Sequence, residues 1–168
     1  MATKVFVPVE EFLRMSFDGP EPEYKDGEVI ERGLATNAHS GTQQALAVFF
    51  YKEKKEQPVY GYPSLRVKMR DGRYVTPDYA VFAGAKPTED WPSSPPHIAI
   101  EILSPDDRMT QVREKLEEYR VWGAPHVWLI DPQKKLFYAF TARGLSEVER
   151  LEAPELGIIL QPGDIVAA

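Results

Sequence analysis

The segment His97-Ile98-Ala99-Ile100-Glu101-Ile102-Leu103, followed by Arg108 to Trp122 and then Val127-Trp128-Leu129-Ile130, decides the fold. The first piece is apolar and β-branched, which predicts a strand. Arg108 to Trp122 carries an apolar stripe at Met109, Val112, Leu116 and Tyr119, the spacing of one helix face. Asp106 or Asp107 is placed to cap that helix, and Gly123 and Pro125 to end it. Val127 to Ile130 is continuously apolar, as in a strand buried on both faces. A strand, a helix and a second strand in this order predict a parallel crossover, which is right-handed by strong statistical rule.

Outward from this unit the chain reads as hairpins and one further helix. Pro8 to Met15 predicts a short first helix with acids in its first turn. Tyr24-Lys25-Asp26-Gly27-Glu28-Val29-Ile30 is a hairpin, because Asp-Gly supplies the left-handed backbone of a tight turn. A longer helix fits from Asn37 to about Glu56, with Leu46, Phe49 and Phe50 on one face and Lys52, Lys54 and Lys55 near its end. Leu65, Val67 and Met69 then alternate with Arg66, Lys68 and Arg70, and Asp71-Gly72 turns the chain into a strand over Tyr74 to Phe82. Gly84 to Pro96, with four prolines, predicts an irregular loop. After Ile130, Asp131-Pro132 turns into a strand over Leu136 to Thr141, and one or two short strands close the chain. The sum is a single α/β domain over residues 1–168: a mixed central sheet flanked by helices, with extra hairpins towards both ends.

Composition is that of a globular chain, 43% apolar and 27% charged. The absence of cysteine excludes disulfides, thiol catalysis and Cys-ligated zinc. Met1 to Pro8 lacks the apolar stretch of a secretory signal, and the longest apolar run, Ala45 to Tyr51, is far short of the ~20 residues of a membrane span. The expectation is a soluble, cytoplasmic protein. The formal net charge of −6 runs against extensive phosphate contact, so binding to nucleic acid would rest on a local basic patch together with metal.

Chemistry points to Thr76-Pro77-Asp78, Glu101 and Lys115. Ile98, Ile100 and Ile102 share one strand face, so Glu101 falls on the other beside Ala99 and Leu103, an apolar setting for a charge. Asp78 has the similar company of Ala80 and Phe82, and Pro77 removes a ladder donor, implying an edge or bulge. Two converging carboxylates resist joint ionisation unless a cation lies between them, so the pair reads as a divalent-metal site. Lys115 flanks the apolar stripe of its helix, and Gln111, one turn earlier, would line the same cleft. Glu28 is a further acid candidate. Arg66, Lys68, Arg70 and Arg73 form a basic ribbon able to track a phosphate backbone. Each residue also has a structural reading: a half-exposed strand acid paired with arginine, a turn aspartate, a snorkelling lysine, the wet face of an amphipathic strand. His39, His97 and His126 lack metal-ligand spacing and read as structural.

The chain resembles the Uma2 family of restriction endonuclease-like proteins. The resemblance rests on Tyr24-Lys25-Asp26-Gly27-Glu28, His39, Pro77-Asp78-Tyr79-Ala80-Val81, Ile100-Glu101-Ile102-Leu103-Ser104-Pro105, Lys115-Leu116-Glu117-Glu118-Tyr119 and Gly123 to Pro132. That family is placed in the PD-(D/E)XK nuclease superfamily, which implies Asp78 as first acid and Glu101 as second. The superfamily lysine belongs two residues after the second acid, where Leu103 stands here; Lys115 fits a position moved onto the next helix. The resemblance further implies that Asp78, Glu101 and the backbone carbonyl of Ile102 hold Mg2+ or Mn2+, with Lys115 stabilising or activating the attack on DNA. It also allows a homodimer. The second reading is a non-catalytic nucleic-acid-binding or regulatory module on a nuclease fold. Close carboxylates with the lysine amine nearby favour the first; splayed or individually salt-bridged acids favour the second.

Overall fold

The structure, a computed structural model, describes residues 5–52 and 58–166. Met1 to Lys4, the lysines Lys54 and Lys55, and the expected helix end at Glu56 lie outside the described residues. The elements are α1 (Val9–Phe12), β1 (Glu23–Lys25), β2 (Glu28–Ile30), α2 (Asn37–Lys52), β3 (Val59–Pro63), β4 (Val67–Arg70), β5 (Arg73–Val75), β6 (Tyr79–Ala83), β7 (Ile98–Ile102), α3 (Met109–Trp122), β8 (His126–Asp131), β9 (Leu136–Thr141), β10 (Gly144–Val148), β11 (Leu151–Ala153), a 3₁₀ turn (Pro154–Leu156), β12 (Ile158–Leu160) and α4 (Pro162–Val166). None of the helices among the described residues is long and apolar enough to cross a membrane.

Six strands build the central sheet in the order β10-β9-β8-β7-β6-β3. Only β7 and β8 run parallel, with Ile98 opposite His126 and Ile102 opposite Ile130, and α3 is their crossover. The strand parity of β7 sorts the core as the alternation predicts. Ile98, Ile100 and Ile102 face Leu46, Phe49 and Phe50 of α2, with Trp128 and Ile130 of β8. Ala99 faces the other way, with Val127 and Leu129, towards Leu116 and Tyr119 of α3. Covering both faces of the sheet is what makes β7 and β8 apolar apart from Glu101 and the terminal His126 and Asp131. Each fully buried aliphatic side chain here, such as Leu46 at 0% exposure, contributes about 1.5–3 kcal/mol.

A second sheet, β2-β1-β5-β4, carries the N-terminal hairpin, whose turn has Asp26 at φ 48° and Gly27 at φ 94°. The strand expected over Tyr74 to Phe82 is therefore two strands in two sheets, β5 in the small one and β6 in the central one. The chain changes sheet at Thr76-Pro77-Asp78. Pro77 has no N–H to continue a ladder, and the Asp78 side chain is committed elsewhere: it accepts the Ile102 amide at 2.8 Å.

Three further expectations are corrected. Neither Asp106 nor Asp107 caps α3: its N-cap residue is Arg108, without a side-chain cap, and Asp107 instead accepts the Ser104 amide at 2.7 Å, closing the preceding turn. Gly123, at φ 113°, does end the helix. Three short strands follow β9, because the segment after β10 folds back as the β11–β12 hairpin, whose Leu151, Ala153, Ile158 and Leu160 join the α2-side core. Arg73 leaves the basic ribbon altogether, since it is buried and bonded to acids.

Candidate active site

The change of sheet at Thr76-Pro77-Asp78 turns the Asp78 side chain towards the end of β7, and a cleft of about 390 Å³ opens there. Asp78, Glu101, Ile102, Gln111 and Lys115 all line it, as do Glu23, Arg32, His39 and Arg73. Asp78 is 4% exposed and Glu101 8%, so both acids sit where ionisation has to be supported by neighbours.

Asp78 takes a hydrogen bond from Arg32 Nη2 at 2.6 Å, and His39 Nε2 lies 3.2 Å from the same oxygen. Its other oxygen takes the Ile102 amide. Burial works against the Asp78 charge, but the His39 hydrogen bond, with the charges of Lys115 and Arg32, outweighs it and holds the carboxyl below its usual range. The Nδ1 atom of His39 is buried and has no hydrogen-bond partner among the described residues.

Glu101 is treated differently. Tyr119 donates its hydroxyl to Oε1 at 2.7 Å, and Lys115 Nζ lies 3.0 Å from Oε1 and 3.1 Å from Oε2. Burial is the largest influence and pushes Glu101 up to about 8; Lys115 opposes, while the charges of Asp78 and Glu23 add to the rise. Two acids in one cleft are thus pushed apart in acidity by their surroundings, the pattern of sites that do proton and metal chemistry.

Lys115 reaches the cleft from the second turn of α3. Its ammonium also lies 2.7 Å from Glu23 Oε1 and donates to the Thr76 carbonyl at 3.2 Å, a carbonyl sitting in the break between β5 and β6. Burial disfavours the ammonium, but Glu101 and Glu23 outweigh it and push Lys115 up to about 12. Lys115 is therefore a fixed positive charge rather than a base at neutral pH.

Glu23 is the acid that sequence reasoning missed. It is buried, held below its usual range because Lys115 and Arg73 outweigh the cost of burial, and its Oε1 accepts the Thr76 amide at 3.3 Å. Glu28, the acid proposed instead, stands exposed opposite Lys25 in the hairpin and away from the cleft lining. Position alone separates them: Glu23 faces the adjoining strand β5 and Glu28 does not. Arg32 and Tyr119 were also missed, one in a polar stretch without periodicity, the other read as core.

The basic ribbon is largely engaged. Arg66 pairs with Glu21 and packs over the Phe12 ring at 4.8 Å, Lys68 pairs with Asp71 at 2.7 Å, and Arg70 with Asp26 at 2.7 Å. Arg73 bridges Glu23 at 3.0 Å and Glu118 at 2.6 Å inside the structure. Lys68 and Arg70 keep solvent access, Arg66 keeps little, and Arg73 is buried. A neighbouring groove of about 810 Å³, with Lys25, Arg70 and Arg113 set among Glu114, Glu117 and Glu118 over an apolar floor that includes Trp122, shares Lys25, Glu114 and Glu118 with the cleft.

A mixed central sheet with helices on both faces and an acid-lined cleft at the end of a central strand defines a restriction endonuclease-like α/β protein. The model of the Uma2 family, described as "Putative restriction endonuclease", matches residues 9–166, and the chain belongs to that family. Its fold is similar to a solved structure from Anabaena variabilis described as "a putative nuclease belonging to DUF820", with a TM-score of 0.78 and 20% sequence identity over 96% of this chain and 98% of that chain. None of the curated proteins matches the chain.

Proposed function

We propose that the chain is a metal-dependent endonuclease hydrolysing phosphodiester bonds in DNA, with Asp78 and Glu101 as metal ligands and Lys115 as the electrostatic catalyst. The observation that carries this reading is the convergence of all three side chains on one cleft, with the Ile102 amide on Asp78 and the Lys115 amine on Glu101. The donor set fits Mg2+ or Mn2+: hard carboxylate oxygens beside the strand end at Ile102, one of them from a buried Glu101 whose pKa burial raises to about 8, so that a cation beside it would favour the carboxylate form. When bound, the ion lowers the pKa of a coordinated water and offsets charge on the phosphoryl oxygens.

The residues of the chain then divide the work. Asp78 is already ionised, pre-set by Arg32, His39 and the Ile102 amide. Glu101 would hold the ion as its carboxylate, and the Tyr119 hydroxyl and Lys115 fix the orientation of its carboxyl. Lys115 stays charged and offsets the negative charge that builds on the phosphoryl group. Arg32 is the counter-ion of Asp78 in the free chain and would be available to a phosphate were a divalent ion to neutralise Asp78 instead. Lys68 and Arg70, at the exposed side, and the Lys25–Arg113 groove supply the path for the nucleic acid.

The test is cleavage of plasmid, single-stranded DNA and RNA at low salt with Mg2+ or Mn2+, comparing wild type with Asp78→Asn and Glu101→Gln. Metal-dependent nicking lost by at least 100-fold in both variants supports the reading. Equal nicking by wild type and variants discards it. The guanidinium on Asp78 favours a second reading, a non-catalytic module on the same fold; DNA binding by wild type without cleavage would establish it.

A further inference from the structure

We infer that the chain carries a second metal site, for a borderline first-row divalent ion such as Zn2+, formed by His97, His126 and Glu155. His97 and His126 have no metal-ligand spacing in the sequence, but the fold brings them together with Glu155. A nitrogen from each ring and a carboxylate oxygen of Glu155 all lie within 4.8 Å of one another. Both Nε2 atoms point at the same oxygen: His97 Nε2 is 2.6 Å and His126 Nε2 2.5 Å from Glu155 Oε1.

The three ligands arrive from rigid supports. His97 follows Pro95-Pro96 and leads into β7, its amide bonded to the Val81 carbonyl at 2.7 Å. His126 opens β8, its amide bonded to the His97 carbonyl at 3.1 Å, so the two rings stand side by side on the parallel pair with centroids 5.8 Å apart. Glu155 lies in the 3₁₀ turn after Pro154, closed by Gly157 at φ 64°. Two imidazoles and one carboxylate are a ligand set for zinc with open positions left for water or a further donor. Ligand atoms around zinc stand about 3.3 Å apart in a tetrahedral site, so Glu155, on the exposed rim, has only to draw back slightly.

This site stands apart from the cleft. It lies at the start of β7, and Glu101 and Ile102 lie at its end, about 13 Å away along the strand. The softer imidazole ligands also select a different ion from the carboxylate oxygens of Asp78 and Glu101. Bound metal would clip the 3₁₀ turn of the C-terminal hairpin to the parallel pair of the central sheet, and it would stabilise the folded chain by mass action.

Calorimetric titration of ZnCl2 into the full chain, chelator-stripped and free of any polyhistidine tag, in buffer with excess MgCl2, tests the site. One zinc per chain is expected, with affinity lowered at least ten-fold in His97→Ala, His126→Ala and Glu155→Gln, and unchanged in the double variant Asp78→Asn/Glu101→Gln. The thermal midpoint of wild type should rise with ZnCl2 and that of His126→Gln should not. Absence of zinc binding, undiminished binding in His97→Ala/His126→Ala, or loss of binding in the Asp78→Asn/Glu101→Gln chain would each overturn the assignment. Should the alanine variants fail to fold, the visible spectrum of Co2+ bound to wild type decides: imidazole-ligated, four- or five-coordinate bands support the site, and purely octahedral oxygen-type bands refute it.

Discussion

The Asp78 carboxylate accepts the backbone amide of Ile102 at 2.8 Å, so the first acid is fastened to the residue that directly follows the second. The β6–β7 pairing, with Tyr79 opposite Ile100, brings the two within reach, and the proline break frees the aspartate to turn inward. Asp78→Ala would leave a buried amide and the Arg32 guanidinium without their acceptor. It should cost about 3 kcal/mol in urea unfolding, whereas Asp78→Asn, which keeps an oxygen in place, should cost clearly less. Cleavage should vanish in both.

Lys115 stands between Glu23 and Glu101 and separates two buried carboxylates. Lys115→Met should destabilise the chain by about 3–5 kcal/mol, the usual effect of stranding buried charge. Adding Glu23→Gln should restore part of that stability without restoring cleavage. A double-mutant cycle by urea denaturation measures the coupling, and additive effects would refute the shared-lysine arrangement.

The raised Glu101 gives a pH dependence of definite sign. Its carboxyl ionises at about 8 in the folded chain, against 4.5 ordinarily. Between those values the unfolded chain has released the proton and the folded chain has not, so rising pH takes stability away across that window and leaves it level above it. Urea melts of metal-free protein from pH 5 to pH 9 should show wild type losing stability relative to Glu101→Gln. A constant difference would contradict the assignment.

Arg32 competes with any cation for Asp78. Arg32→Gln should bind Mg2+ severalfold more tightly by calorimetry while cleaving more slowly, because the same guanidinium is assigned to a phosphate. Weaker Mg2+ binding in that variant would instead make Arg32 a scaffold for the acid.

Gly61 lies beneath the buried Tyr79 ring, which itself stacks on Phe50 with centroids 5.5 Å apart. A Cβ on Gly61 would come within 2.8 Å of Tyr79 Cε1 and closer still to the hydroxyl. Gly61→Ala should cost about 1–3 kcal/mol through overpacking, partly recovered by Tyr79→Phe. Thermal melts of the single and double variants check this.

Much of this was open to reading along the chain. Alternation in His97 to Leu103 placed Glu101 opposite the isoleucines, Asp26-Gly27 marked its hairpin, and Gly123 marked its helix end, because each depends on local backbone preference or periodicity. Asp78, Glu101 and Lys115 could be singled out as charges in apolar company. Glu23 could not be chosen over Glu28, nor Arg32 found, because only the pairing of β1 with β5 brings that hairpin to the cleft. Arg73 looked like a surface residue for the same reason in reverse.

The order of residues by itself determined the β7–α3–β8 unit, the N-terminal hairpin, the long helix α2, the two faces of β7, and which acids stood in uncongenial surroundings; these follow from side-chain type and spacing over a few neighbours. Tertiary structure alone decided which charges meet: that Lys115 serves two carboxylates, that Asp78 has a guanidinium, that His97, His126 and Glu155 share a point. Electrostatic and coordinate interactions act over a few ångströms of space, and residues that distant in the chain acquire such distances only when strands pair and helices pack.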